Sequence, residues 1–287
     1  MQNVDPVIVY KTPFGKTGLF KSIVNYPEVD MEEYPYTLKY EYITKELKII
    51  NSSSIGIRLN PVLCEAFIHK NFKSPYLNIA EHVTIQNGVI ILFFNEAKCD
   101  LNMLKRRNFN NIRLWSLFLI KGIVHLHLHR IIHGDIKSTN ILLYDSIAKL
   151  SDFGSSALII GNGNQLFHSK MYTPTHRAPE VWYNDEWGLS ADIWALGCTL
   201  FEMYYEFSLF QIKKTDNEYI NQIEAWCDSS INKSMIFEFP ATWNLPQNQQ
   251  INEIILKCLN PIASERPTIF EIVKLPFFID EFNTSII

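Results

Sequence analysis

Hydrophobic and polar residues alternate along much of the first hundred residues, a spacing typical of half-buried β-strands. Segment 35–42, PYTLKYEY, shows this alternation, and segments 6–11 and 19–25 flank a turn that contains glycine. Segment 83–94 predicts a β-hairpin, because an Asn-Gly pair near its centre favours a tight two-residue turn. The beginning of the chain is therefore predicted to be rich in strands.

Helical spacing dominates the rest of the chain. Segment 60–72 begins with Asn-Pro, a pair suited to the first turn of a helix, and it is the one helix expected in the strand-rich part. Segments 111–129 and 190–205 carry apolar residues on all sides, which predicts buried helices. The helical character continues in segments 248–260 and 268–278.

Together these patterns predict an α+β fold made of two lobes in a single domain. The boundary is expected near residues 95–98, with a small β-rich lobe over residues 1–97 and a larger helical lobe over residues 98–287. A cleft between two such lobes is the natural place for a ligand.

Composition restricts the classes of partner. The 287 residues are 47% hydrophobic with a formal net charge of −4, so we expect no nucleic-acid partner. The five cysteines form no CxxC pair, which argues against a disulfide framework or a zinc site. The N-terminus does not resemble a secretory signal, and the apolar run at 89–94 is too short to span a bilayer. We expect an intracellular protein, cytoplasmic or nuclear, away from membranes; the pattern leaves its oligomeric state open.

Segment 131–143, IIHGDIKSTNILL, carries an acid, a base and an amide between two apolar runs. Transfer of a γ-phosphoryl group needs an oriented acceptor hydroxyl, metal ions on the phosphates and a cation near the developing charge. Asp135 could accept the hydroxyl proton, and Lys137 could neutralise the transferring group. Asn140 and Asp152 of the later SDFG segment offer hard oxygen ligands that suit Mg²⁺.

Five motifs in order resemble the protein kinase family of the serine/threonine type: HGDIKSTN, SDFG, HRAPE, ADIWALGC and NPIASERPT. The resemblance covers nearly the whole chain. It implies a two-lobed kinase fold, ATP and Mg²⁺ as cofactors, and protein substrates. It also implies that Asp192 braces the backbone of the catalytic loop and that Arg266 pairs with Glu180.

The resemblance is less complete in the first hundred residues. PFGKTGLF at 13–20 resembles the family's glycine-rich loop, but Pro13 replaces its first glycine. A phosphate-binding P-loop is excluded, because Tyr10 stands where that motif needs glycine. YTLK at 36–39 makes Lys39 the phosphate-binding lysine and Glu65 its partner, with Lys45 and Lys48 as alternatives. The other implied nucleotide contacts are Gly15, Gly18 and Phe20 over the phosphates, Thr37 beside the adenine, Phe93 behind it, the backbone from Phe94 to Glu96, Leu142 below it and Asp100 at the ribose.

Gly134 stands where many kinases carry an arginine that pairs with a phosphate on the activation loop. Without that cation, a phosphate has one fewer partner to order the loop. We therefore expect activity that does not depend on activation-loop phosphorylation. The glycine form resembles the catalytic loops of some kinases carried by large DNA viruses and their cellular relatives.

The preference for serine and threonine follows from the same resemblance. Lys137 lies two residues after Asp135, and Thr173 stands where such kinases hold a threonine against both. Tyr172 replaces the usual glycine before it. The carboxylates of Glu202 and Asp100 are candidates for contact with a basic substrate.

Alternatives come from other classes. The acidic, basic and amide residues of the loop could form a buried polar network in a pseudokinase that acts as a scaffold for partners. A kinase of small molecules on the same fold is disfavoured by the complete APE segment and late arginine motif. HLHLH at 125–129 invites a metal site, but only His125 and His129 share a helical face and no carboxylate follows at ligand spacing.

Overall fold

The computed structural model describes the following residues, those before 64 by their backbone only: 8–12, 15–19, 21–24, 40–48, 61–86, 89–104, 108–145, 147–159, 171–183, 186–231 and 241–279.

The first part of the chain consists of strands and one helix, as predicted. Its elements are β1 Ile8–Thr12, β2 Gly15–Leu19, β3 Lys21–Val24, β4 Tyr40–Lys48, α1 Pro61–Asn71, β5 His82–Gln86 and β6 Val89–Phe94. Strands β1 and β2 form an antiparallel pair, and the other four form an antiparallel sheet in the order β3-β4-β6-β5. The helix expected at 60–72 and the hairpin expected at 83–94 are confirmed.

Strand β4 differs from its prediction. The alternating pattern placed a strand over 35–42, whereas the described strand begins at Tyr40 and continues to Lys48; residues 35–39 lie outside the described residues. Its partner is β6, whose buried residues Ile90, Leu92 and Phe94 alternate with half-buried ones. These three side chains pack with Ala66, which places helix α1 against the sheet.

Five short strands border the loops of the second part. They are β7 Cys99–Asp100, β8 Ile131–Ile132, β9 Ile141–Leu143, β10 Ala148–Leu150 and β11 Ala157–Leu158. Strand β9 pairs antiparallel with β7 and β10, and β8 pairs antiparallel with β11. The loop from 133 to 140 therefore lies between two anchored strands, as does the segment from 151 to 156.

Six helices are described in the second part: α2 Phe109–Leu128, α3 Pro179–Trp182, α4 Leu189–Tyr205, α5 Asp216–Ile231, α6 Gln249–Cys258 and α7 Ile269–Ile272. Helix α4 is buried along most of its length, as predicted. Helix α2 is buried on one side only, since Leu114 and Leu128 are exposed, so the prediction of burial on all sides was wrong there. No helix among the described residues is long and apolar enough to cross a membrane.

Two helical segments differ from the sequence prediction. Helix α5 was not predicted; its side chains Tyr219, Ile223 and Trp226 are buried. The helix expected over 268–278 ends at Ile272 and is followed by turns. The short helix begins with a capping box between Thr268 and Glu271.

Candidate active site

One buried carboxylate on helix α4 holds the backbone of the catalytic loop, residues 133–140. Oδ2 of Asp192 accepts hydrogen bonds from the backbone N–H of His133 at 2.8 Å and from Nε2 of His127 at 3.0 Å. Its Oδ1 accepts one from the backbone N–H of Gly134 at 3.1 Å. Burial would raise the pKa of Asp192, but the hydrogen bond and charge of His127 lower it on balance. The predicted brace is confirmed, and the carboxylate is ionised.

The residues with predicted chemical roles meet around Asp135. Its Oδ1 accepts hydrogen bonds from the backbone N–H of Thr173 at 3.1 Å and from the Thr173 hydroxyl at 2.7 Å. Its Oδ2 lies 2.8 Å from Nζ of Lys137, which also donates to the Thr173 hydroxyl at 2.8 Å. The prediction that Thr173 lies against the aspartate and the lysine is confirmed.

The charge state of Asp135 follows from these neighbours. Burial would raise the pKa of this carboxyl, but the charge and hydrogen bond of Lys137 and the hydroxyl of Thr173 lower it below its ordinary value. The carboxylate is therefore ionised at neutral pH and can accept a hydrogen bond from a substrate hydroxyl.

Asn140 is oriented by the same aspartate. Its Nδ2 donates to the backbone carbonyl of Asp135 at 2.8 Å and to Oδ2 at 3.2 Å. The nitrogen is thus engaged with Asp135, so the amide oxygen is the end suited to a cation. The carbonyl of Asn140 accepts hydrogen bonds from the N–H and the hydroxyl of Ser151, both at 2.9 Å. Asp152 follows directly with an exposed carboxylate and a left-handed backbone at φ 65°.

This donor set fits Mg²⁺ rather than a metal held by the protein alone. One amide oxygen and one carboxylate are typical of a site that is completed by water and phosphate oxygens. Among the described residues, no three His, Cys, Asp or Glu side chains come together as a ligand cluster.

His133 connects the catalytic loop to the SDFG segment. Its Nδ1 accepts the backbone N–H of Asp135 at 3.2 Å, so Nε2 carries the ring proton and donates to the carbonyl of Ser151 at 3.0 Å. Its own carbonyl accepts the hydroxyl of Ser156 at 3.1 Å. His133 therefore holds the catalytic loop against the SDFG segment.

A row of four rings runs from strand β6 to the catalytic loop. Ring centroids are 5.2 Å apart for Phe94 and His69, 5.3 Å for His69 and Phe153, and 5.5 Å for Phe153 and His133. His69 is buried on α1, where its Nδ1 accepts the backbone N–H of Ala80 at 3.1 Å. The sequence analysis did not find His69, although its position four residues after Glu65 was the available signal.

The expected nucleotide residues are located as follows. Glu65 is buried on α1, with Oε1 3.8 Å from Nε2 of His69. Gly15 and Gly18 lie in β2, opposite Thr12 and Val9 of β1. Pro13, Phe20, Thr37 and Lys39 lie outside the described residues.

Three further expectations concern the segment after β6 and strand β9. Leu142 is half-buried and pairs with Asp100, while Glu96 is exposed. The carboxylate of Asp100 accepts the N–H of Met103 at 3.1 Å and caps a short helical turn.

The buried aromatic side chain at the end of β6 is Phe94, whereas Phe93 is half-buried, so the expectation that Phe93 closes the back of the pocket is not supported. Strand alternation turns only one of two neighbours inward.

Glu202 has a different environment from the one expected. Its carboxylate accepts hydrogen bonds from the hydroxyls of Ser138, at 3.0 Å, and Ser208, and lies 3.3 Å from Nε2 of His176. Burial would raise the pKa of Glu202, but His176 and the two serines lower it to about 2. Both carboxylate oxygens are thus engaged within the chain, and the expected contact with a basic substrate stays a prediction.

A second buried ion pair anchors the end of the activation segment, the stretch of chain from the SDFG motif to the HRAPE motif. Nη1 and Nη2 of Arg266 donate to the two carboxylate oxygens of Glu180 at 2.6 and 2.8 Å. Nε of Arg266 donates to the carbonyl of Asn260 at 2.8 Å, and the guanidinium lies over the ring of Trp194. The predicted pairing is confirmed.

An ionised aspartate, a lysine and an amide converge here beside an oriented threonine, an arrangement suited to phosphoryl transfer. Comparison with known proteins agrees. Residues 39–278 match the model of the protein kinase domain. The chain is 28% identical over 256 residues to serine/threonine-protein kinase Nek11 from Macaca fascicularis, covering 83% of this chain and 37% of that protein.

Other relatives carry the same domain. Serine/threonine-protein kinase PLK4 from Nematostella vectensis is 28% identical over 232 residues, covering 78% of this chain and 22% of that protein. Mitogen-activated protein kinase kinase kinase ANP1 from Arabidopsis thaliana is 30% identical over 181 residues, covering 61% and 25%. The chain spans less than two fifths of the length of these relatives. It belongs to the protein kinase family.

Proposed function

We propose that the protein transfers the γ-phosphate of ATP to serine and threonine hydroxyls of protein substrates. The observation that carries this proposal is the closed arrangement of Asp135, Lys137, Asn140 and Thr173, in which every polar contact is between 2.7 and 3.2 Å. The names of the relatives, all protein kinases, support the same activity. The two lobes are proposed as residues 1–97 and 98–287.

Each side chain has a role that its contacts support. The ionised Asp135 accepts the hydrogen bond of the incoming hydroxyl and orients its oxygen. Lys137 supplies positive charge beside it, which stabilises negative charge on a transferring phosphoryl group. Thr173 holds both of them, and its backbone N–H fixes the segment against which a substrate would lie.

Magnesium and nucleotide would be bound by residues around this centre. Asn140 and Asp152 are proposed to hold Mg²⁺, which supplies charge neutralisation on the phosphates of ATP. The proposed ATP contacts are Gly15, Gly18, Phe20, Thr37, Glu65, Phe94, Glu96 and Leu142, together with a lysine.

For that lysine, the strand register supports Lys45 over Lys39. Lys45 lies inside β4, directly opposite Leu92 of β6. Leu92 belongs to the buried cluster against which Ala66, the neighbour of Glu65 on α1, packs. Lys45 is therefore in the part of the sheet that faces the helix of its proposed ion-pair partner, whereas Lys39 precedes the described strand. Lys45→Met is expected to abolish transfer and Lys39→Met to preserve it; the opposite result would assign the role to Lys39.

The activity is tested by transfer of labelled γ-phosphate from Mg-ATP to a mixed protein substrate. Asp135→Asn removes the ionised acceptor and is expected to abolish transfer. Asp145→Asn is the matched control, since Asp145 is exposed and pairs with the exposed Lys98. Transfer by the wild type and the control alone supports an enzyme with Asp135 at its centre. Transfer by none of them, with Mg²⁺ or Mn²⁺, would support a scaffold that acts through partners.

The proposal includes independence from activation-loop phosphorylation, because Gly134 offers no cation to a phosphate. Treatment of the purified protein with a phosphatase, followed by removal of the phosphatase, is expected to leave the rate of transfer unchanged. Loss of activity after this treatment would contradict independence without contradicting kinase activity.

A further inference from the structure

Tyr172 has an unusual backbone and an unusual environment for a residue beside an active site. Its backbone has φ 69°, in the left-handed region that residues other than glycine rarely adopt. Only 5% of its surface is exposed. The next residue, Thr173, bonds to Asp135. A strained, buried tyrosine at this point requires contacts that hold it there.

Those contacts lead to the carboxylate that braces the catalytic loop. The hydroxyl of Tyr172 donates to Oδ1 of Asp192 at 2.9 Å, and its backbone N–H donates to the carbonyl of Gly134 at 2.9 Å. Oδ1 of Asp192 also accepts the N–H of Gly134. The tyrosine ring lies edge-on to Trp187, with centroids 5.6 Å apart. Burial and the charge of Asp192 raise the pKa of Tyr172, so its hydroxyl stays a donor.

Arg177 also holds the backbone of the two residues before Thr173. Nε of Arg177 donates to the carbonyl of Met171 at 2.9 Å, and Nη2 donates to the carbonyl of Tyr172 at 2.9 Å. The guanidinium in turn lies 4.2 Å from the ring centroid of Trp182. Both carbonyls are thus bonded within the chain's own structure.

Gly134 complements this arrangement. It has φ 80°, and a Cβ at this position would lie 2.5 Å from Cε of Met171 and 2.5 Å from the carbonyl oxygen of Ser155. The space beside Gly134 is therefore filled by the two ends of the activation segment. The segment packs against the loop at the position from which an arginine side chain would project.

We propose that Tyr172 is a positioning residue for phosphoryl transfer: its hydroxyl, bonded to Asp192, fixes Thr173 against Asp135 and Lys137 and orders the substrate-facing segment without a phosphate. This inference rests on the proposed kinase function and gives it a mechanism of regulation. Tyr172 is buried, and it acts through Asp192 and Thr173.

The test compares two conservative variants. Tyr172→Phe removes the hydroxyl bonded to Asp192, and Tyr205→Phe removes another buried hydroxyl, bonded to Asn252 on α6. Both should lose stability, Tyr172→Phe more than Tyr205→Phe because its partner is charged. Only Tyr172→Phe should lower kcat/KM for a protein substrate, by about tenfold or more, because a hydrogen bond to a charged group is lost at the site. The KM for ATP should stay unchanged in both variants.

A third variant separates positioning from backbone strain. Tyr172→Gly relieves the strain at φ 69°, because glycine adopts this conformation readily. If only the left-handed backbone at this position matters, Tyr172→Gly should transfer phosphate at least as well as Tyr172→Phe. If the ring and hydroxyl position Thr173, it should be the less active of the two. Wild-type kcat/KM in either Tyr172 variant would overturn the proposal.

A measurement independent of activity completes the test. Amide hydrogen exchange of peptides within residues 171–183 is expected to be faster in Tyr172→Phe than in the wild type, and unchanged in Tyr205→Phe. Equal protection in all three proteins would overturn the positioning role. If the wild type transfers no phosphate, the proposed function fails, and this exchange experiment still decides whether the hydroxyl of Tyr172 orders the segment.

Discussion

Replacing Gly134 with alanine tests whether the catalytic loop depends on the absence of a side chain. An L-residue in the left-handed region costs roughly 1–2 kcal/mol relative to glycine. The added methyl group would lie 2.5 Å from the carbonyl oxygen of Ser155, a backbone atom that cannot rotate away. Overpacking of this kind costs about 1–3 kcal/mol. The sum, about 2–5 kcal/mol, is a large share of the roughly 5–15 kcal/mol by which domains are stable.

The measurement is the free energy of unfolding in urea for the wild type, Gly134→Ala and Gly122→Ala. Gly122 is the matched control, since a Cβ there would lie 2.9 Å from the backbone oxygen of Tyr76, but its φ is not positive and it lies within helix α2. Alanine also gains about 0.5–1 kcal/mol over glycine in a helix, so the control should lose less. A loss below about 0.5 kcal/mol for Gly134→Ala, the range of an ordinary surface change, would refute the reasoning. So would a larger loss for the control.

Three further outcomes are expected from denaturant unfolding. Asp192→Asn places an amide against the donors that now meet a carboxylate. It should lower the free energy of unfolding by about 3–5 kcal/mol and abolish phosphate transfer. Near-wild-type stability and transfer would contradict the bracing role. Glu202, with a pKa lowered from 4.5 to about 2, should contribute about 3 kcal/mol above pH 4.5 that disappears as the pH falls toward 2. The stability difference between the wild type and Glu202→Gln should therefore shrink across that window, and a constant difference would contradict it. Arg266→Lys loses the paired geometry with Glu180 and should cost roughly 1.5–3 kcal/mol, whereas an unchanged midpoint would show that charge alone suffices.

The parts of the site that could be predicted are those whose chemistry is local in the chain. Asp135, Lys137 and Asn140 lie within six residues, so their spacing alone indicates a shared loop. The brace by Asp192 and the pair formed by Arg266 were also predictable, but only because the resemblance assigns them partners far away in the sequence.

Contacts between distant residues without such an assignment could not be predicted. Ser138, Ser208 and His176 are common polar residues, and nothing in their own sequence segments indicates that all three surround Glu202. The same holds for His69, since a histidine on an apolar helix face does not reveal which rings it will meet. These contacts depend on how helices and loops pack, which the pattern of one sequence does not determine.

Strand β4 shows a different limit. Its later half contains Thr44, Lys45 and Glu46, three polar residues in succession, which ended the predicted strand at residue 42. In the structure this half pairs with β6, whose apolar side chains supply the burial. The pairing with β3 ends at Ile43, so this half is held by backbone pairing with β6, and its polar residues do not prevent the strand.

The carboxylate of Asp192 receives hydrogen bonds from α2, from two residues of the catalytic loop and from Tyr172 of the activation segment. Residues that share one acceptor are thermodynamically coupled, so their mutational effects are not additive. A descendant of this chain could therefore not acquire an arginine at position 134 by a single step, because Met171 and Ser155 occupy its space. The activation segment would have to change first, at the expense of the Tyr172 contact. Epistasis would thus keep position 134 without a cation, independently of any selection on how the protein is controlled.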